Sequence, residues 1–295
     1  MANIPISTAK PKICRKLSEF GMGERNEGDD IAGIVHKVGS NVTEFHPGNR
    51  VAAFHVMMTP GGSYAEEAAA IPLAGMTAAV GLYVRLGLPQ PFTPAKTQVP
   101  LVVYGAASAV GAYAVQLAKR SNIHPLICIA GRGIPFVETL IDKSKGDVII
   151  DYRKGDEAVV QGIKAAIPPG EKLMYAFDAV SEKGSSPNIC KVLSTEGGKI
   201  TNVLRFEGNV PDGVEQSLTS VGSVHKDASD FGFAWFRMFG RGLQEGWFKG
   251  HPQEIVPGGL GGIQQALTNL KHGKASAVKY VFRIADTEGV SKSSL

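Results

Sequence analysis

The sequence predicts an α/β protein, a doubly wound parallel sheet joined to a smaller β-rich region. Three observations predict it. Apolar runs of strand length recur across residues 101–204 with helix-length segments between them, the spacing of parallel β-α-β units. Before residue 73 the pattern is different, with short alternating runs punctuated by turn residues. At 101–120, LVVYGAASAVGAYAVQLAKR, an apolar run breaks into small residues and resumes with helical spacing, which reads as strand, tight turn and helix.

Taken in order, residues 1–23 show little periodicity. Residues 29–39, DDIAGIVHKVG, alternate apolar and small side chains like a strand, and Pro47-Gly48 forms a turn feeding a second strand at 50–54. Gly61-Gly62 marks another turn, before a short strand at 63–71. From Leu73 the period changes, and 73–87 reads as a helix stopped by Gly87 and Pro89. After the strand at 101–104, the apolar positions 110, 114, 115, 117 and 118 give the next helix a buried face. Strands follow at 125–130 (PLICIA), 147–151 (DVIID), 172–178 (KLMYAFD) and 198–204 (GKITNVL). Residues 231–246 form an aromatic-rich helix whose rings serve core packing or a domain seam. A helix at 261–272 and a strand at 277–283 complete the chain.

Charge and composition narrow the function classes. The balance of 31 basic against 27 acidic residues, net +4, is mild, and the basic residues are scattered rather than gathered on one element, as a nucleic-acid face requires. No apolar run is long enough for a membrane span or a signal-peptide core. Cys14, Cys128 and Cys190 are sparse and odd in number, which fits a reducing compartment. The expectation is a cytoplasmic protein acting on a small molecule.

The turn at 105–111 carries the chemistry. Small residues at 105–109 let the backbone turn tightly and approach a ligand, while the N–H groups at the start of the following helix suit a pyrophosphate. The glycine fingerprint of dinucleotide sites is replaced here by Ala106-x-Ser108-x-x-Gly111. On these residues alone, ordinary strand–helix packing and a dinucleotide site both stand, and the parallel pattern around the turn favours the second. The strand after this helix ends I-C-I-A-G-R-G at 127–133. No carboxylate stands there to bond a ribose hydroxyl, and Arg132 does, a fork matched to a 2′-phosphate. The alternative is a solvated surface arginine. The expected cofactor is NADP(H).

The succession GDDIAGIVHKVGSNVTEFHPGNRVAAF, GGSYAEEAAAIPLAGMTAAVGL and YGAASAVGAYAVQLAK resembles the medium-chain dehydrogenase/reductase superfamily, in its zinc-independent quinone oxidoreductase and enoyl reductase-like branch. The resemblance implies a Rossmann-type sheet at 83–250 and a GroES-like catalytic domain built from 1–82 and 251–295. Residues 1–23 do not resemble the family's opening segment, so that domain is expected to be N-terminally shortened, and no catalytic residue is assigned. By position, Thr77 would lie near the cofactor. Ser108, Ala109 and Val110 would hold the pyrophosphate, with Arg132 and Tyr152 beside the adenosine phosphate. Asp178, Ala179 and Val180 would follow the fourth strand of the sheet, Val203 and Leu204 the fifth, near the nicotinamide, and Lys279 matches the closing motif with Gly273-Lys274. No metal is expected, because no histidine precedes a glutamate and three scattered cysteines cannot build a zinc lobe; His36, His46 and His55 read as loop or strand residues. The implied reaction is hydride transfer from NADPH to an enone, enoyl or quinone acceptor, in secondary metabolism, by a monomer or homodimer. Two alternatives stand beside it: NADP-dependent alcohol or aldehyde chemistry, and a non-catalytic NADPH-binding protein.

Overall fold

The computed structural model describes residues 30–40, 42–54, 70–206 and 208–290. The calls at 1–23, Gly61-Gly62 and nearly all of 63–71, together with Cys14 and His55, lie outside them. The chain divides into two compact units. One holds the described residues up to Leu73, Pro252–Ala275 and those from Lys279 on; the other holds Ala74–His251 and Ser276–Val278.

In the smaller unit, β1 (Asp30–Ile34) pairs antiparallel with β2 (Arg50–Phe54). The connection turns at Gly48, whose φ of 90° suits glycine, and its N–H donates to Val35 O at 2.8 Å. The C-terminal segment returns to this unit as β10 (Lys279–Val281), parallel to a short β9 (Gln253–Ile255). Lys279 Nζ pairs with Asp30 Oδ2, and Asp30 Oδ1 accepts Leu73 N at 2.5 Å. Burial raises the Asp30 carboxyl above its usual range, and Lys279 works against that rise.

The larger unit is a six-stranded parallel sheet. Its strands are β3 (Leu101–Tyr104), β4 (Leu126–Ala130), β5 (Val148–Asp151), β6 (Tyr175–Asp178), β7 (Lys199–Asn202) and β8 (Glu215–Leu218), in the order β5-β4-β3-β6-β7-β8. This is the doubly wound arrangement, in which the order reverses between β3 and β6. Strands β3 and β4 are buried throughout, as expected where helices cover both faces of a parallel sheet. Val102, Ile127, Ile129, Ala176 and Ile200 join Val159 and Ile163 of a helix at Asp156–Ala166 in one core. Phe177 faces the other way, its ring 2.0 Å from where a Cβ on Gly81 would stand.

Residues read as one helix at 73–87 form α1 (Pro72–Ala79), followed by a π-helical turn at Val80–Arg85. The widened turn carries the buried Tyr83, whose hydroxyl donates to Leu117 O at 3.1 Å and whose ring stacks 4.7 Å from Trp235. From Ala74 onward this segment belongs to the sheet unit, which puts the division near Leu73 rather than at 82. The aromatic helix spans Ser229–Glu245. Trp235 and Phe239 are buried, and their stacking on Tyr83 and Phe248 is packing within one unit. Among the described residues no helix is long and apolar enough to cross a membrane.

Candidate functional site

The turn between β3 and α2 (Ala109–Arg120) stands at the carboxyl end of the sheet, beside the reversal of strand order, where ligands of open α/β sheets bind. Gly105 has φ of 77°, and both its N–H and that of Ala106 donate to Ile129 O at 3.0 Å. Gly111 is required by close approach, since a Cβ there would stand 2.3 Å from Gly105 O. Ser108 caps the helix, its Oγ accepting Gly111 N at 3.0 Å. The N–H groups of Ala109 and Val110 lie in the first turn, where no intrahelical partner exists, and no hydrogen bond from either occurs within the protein among the described residues. Ala107, Ser108, Ala109 and Val110 are half-buried, while Ala106 is buried. Nothing larger than valine flanks these donors, so the turn fits a pyrophosphate.

Next along the carboxyl edge, β4 runs out into Gly131, Arg132 and Gly133. Arg132 is exposed. A Cβ on Gly131 would lie 2.5 Å from the ring of Tyr152, so the tyrosine covers that glycine while 47% of its surface stays open. Beside it, Asp151 and Arg153 form a two-pronged pair, Nε to Oδ1 at 2.8 Å and Nη2 to Oδ2 at 2.6 Å. Those hydrogen bonds from Arg153 hold the Asp151 carboxyl down at about 2. The acid at the end of β5 is thus engaged by its own neighbour, and a hydroxyl-reading carboxylate is absent from the end of β4.

Asp178, at the end of β6, is fully buried. Its Oδ1 accepts Val180 N (3.1 Å) and Ser181 N (2.7 Å), and its Oδ2 accepts the hydroxyls of Ser185 (2.6 Å) and Ser186 (2.7 Å). The carboxylate therefore organises the loop, and what it leaves accessible at this edge is Val180, half-buried, with Ala179 beneath. Val180 Cγ2 lies 2.1 Å from where a Cβ on Gly105 would stand. After β7, Val203 is half-buried and Leu204 is 48% exposed.

The sheet unit thus gathers Ala106, Ser108–Gly111, Arg132, Tyr152, Val180, Val203 and Leu204 on loops leaving the carboxyl ends of adjacent strands. Of the other predicted residues, Asp178 and Ala179 are buried at the end of β6, Thr77 lies in α1 with 6% of its surface exposed, and Lys279 belongs to the smaller unit, its ammonium engaged by Asp30. Sequence reading missed Ser181, Ser185 and Ser186. The signal for Ser181 was there in D-A-V-S, an aspartate followed by the short segment its side chain can cap. Among the described residues no group of three His, Cys, Asp or Glu side chains is placed to hold a metal ion.

No family model matches the chain. Known proteins do. It is 49% identical over 282 residues to a trans-enoyl reductase of Gibberella fujikuroi, spanning 88% of this chain and 83% of that one. A trans-enoyl reductase of Alternaria alternata is 31% identical, over 87% of this chain and 83% of its own. Among solved structures, the CurK enoyl reductase superposes with a TM-score of 0.68 at 18% identity, covering 91% of this chain and 83% of its own; at that identity the likeness concerns the fold. On the strength of the sequence relatives, the chain belongs to the medium-chain dehydrogenase/reductase superfamily, in its enoyl reductase-like branch.

Proposed function

We propose that the protein is an NADPH-dependent reductase acting on an activated carbon–carbon double bond, an enone or enoyl group. The observation that carries the reading is the 49% identity to a trans-enoyl reductase across most of both chains; the sheet unit supports it residue by residue. When bound, a reduced nicotinamide would supply the hydride. The chain's contribution is to bind and orient. The N–H groups of Ala109 and Val110, at the positive end of a twelve-residue helix, face a pyrophosphate's charge. Arg132 meets the 2′-phosphate, and Tyr152 presents a flat apolar face next to it. Val180, Val203 and Leu204 form an apolar border on the loops after β6 and β7, limiting water near the nicotinamide end.

Fluorescence titration with NADPH and NADH tests the cofactor choice, followed by turnover on a panel of enones, enoyl thioesters and quinones. NADPH should bind in the micromolar range and NADH much more weakly. Arg132→Ala should weaken NADPH by about tenfold or more, the scale of a charge-assisted contact, with NADH almost unchanged. Equal losses for the two cofactors would refute the role of Arg132, and wild-type protein that binds neither would refute the reading as a whole.

A further inference from the structure

Ser181 has a backbone conformation that serine rarely adopts. Its φ is 57°, in the left-handed region where a Cβ costs roughly 1–2 kcal/mol. Non-glycine residues persist there when surrounding bonds over-determine them, and three do so here. Ser181 N donates to Asp178 Oδ1 at 2.7 Å, Ser181 Oγ donates to Asp178 O at 3.1 Å, and the same Oγ accepts Val203 N at 3.0 Å. The last bond crosses from the loop after β6 to the loop after β7. Beneath it, Asn202 Nδ2 donates to Ser186 Oγ at 2.8 Å, and Ser186 Oγ donates to Asp178 Oδ2. The two loops are joined twice, once deep in the sheet and once, through Ser181, at its rim. The rim bond reaches the backbone of Val203, whose N–H is shared between Ser181 Oγ and, at a longer 3.3 Å, Asp178 O.

We infer that Ser181 is a positioning residue for the dinucleotide: its hydroxyl ties the loop after β6 to the loop after β7 and sets the two at one height along the carboxyl edge of the sheet. The inference rests on reading the sheet unit as a nicotinamide dinucleotide site. Its side chain need not touch the ligand. It holds Val180 against Gly105 on one side and Val203 on the other, so the apolar border is assembled before anything binds, and binding does not have to order it.

Two variants separate positioning from plain loop stability. Ser181→Ala loses the hydroxyl bridge and keeps the left-handed strain. Ser181→Gly loses the same bridge but relieves the strain, so it should melt at a higher temperature than Ser181→Ala. Both should bind NADPH about tenfold more weakly than wild type, since each leaves the two loops to be ordered on binding. Affinity and melting temperature then move independently, which a merely structural serine would not produce. If Ser181→Gly recovers wild-type affinity along with stability, or if neither variant alters NADPH binding, the inference is overturned while the cofactor reading stands. A wild-type protein that binds neither NADPH nor NADH overturns both.

Discussion

The two ends of the parallel sheet each bury an aspartate, and they use it differently. At the amino end Asp147, just before β5, accepts His124 Nδ1 at 2.7 Å and Leu126 N at 2.8 Å on Oδ1, and Asp142 N at 2.8 Å on Oδ2. Its three donors fasten the entrances of β4 and β5 and face inward. At the carboxyl end Asp178 collects two backbone N–H groups and two hydroxyls, and the loop it shapes turns Val180 and Ser181 toward the edge where the turn at 105–111 lies. Burial and saturation of a carboxylate therefore say little about function. Which end of the strands it serves says more, because only the carboxyl end of an open α/β sheet meets a ligand.

Substitutions can break that comparison. The largest effect is expected from Asp147→Ala, which strands three donors, two of them buried, at about 1–3 kcal/mol for each buried group left without an acceptor. Urea melts should show a loss of several kcal/mol, with the NADPH affinity of the remaining folded protein unchanged. Lost affinity in a folded Asp147→Ala protein would erase the distinction between the ends. A smaller loss is expected from Gly111→Ala, whose Cβ would press on Gly105 O and lift α2 from β3. Overpacking of this kind costs about 1–3 kcal/mol. Here stability and NADPH affinity should fall together, because the displaced turn is the proposed phosphate site. The smallest effect belongs to Arg153→Ala. Pairing lowers the Asp151 carboxyl, so its contribution is present above the usual value of 3.8 and is lost as pH falls toward about 2. An NMR titration of Asp151 should show its midpoint return to the usual carboxylate range, with melting at neutral pH barely altered for so exposed a pair.

How far the sequence could be read follows the same physics. Strands β3 and β4 were legible because burial on both faces makes them continuous apolar runs, the half-buried edge strand β5 because V-I-I-D keeps such a run, and the turn at 105–111 because tight geometry demands small residues. The edge strand β8, E-Q-S-L, escaped notice since an exposed edge needs no apolar pattern. The π-helical turn was invisible for another reason: its sequence is helical, and only packing of Tyr83 under Trp235 decides the register. At the candidate site, Arg132 and Tyr152 were proposed from position along the chain, and both lie at the carboxyl edge. The role of Asp178 was not. A carboxylate after a strand reads as a ligand contact until the hydroxyls of Ser185 and Ser186 are seen to have claimed it. Lys279 illustrates the same limit across a longer distance, because a partner 249 residues away leaves no local trace.

That distance has a consequence in time as well as space. A chain made from its N-terminus exposes Asp30 early, while Lys279 emerges only after the whole of Ala74–His251. The sheet unit has all its strands and helices while the smaller unit still lacks β9 and β10, and domains made in sequence fold as units. During synthesis the smaller unit must therefore wait, its carboxylate held by water, for Lys279 to arrive as its countercharge.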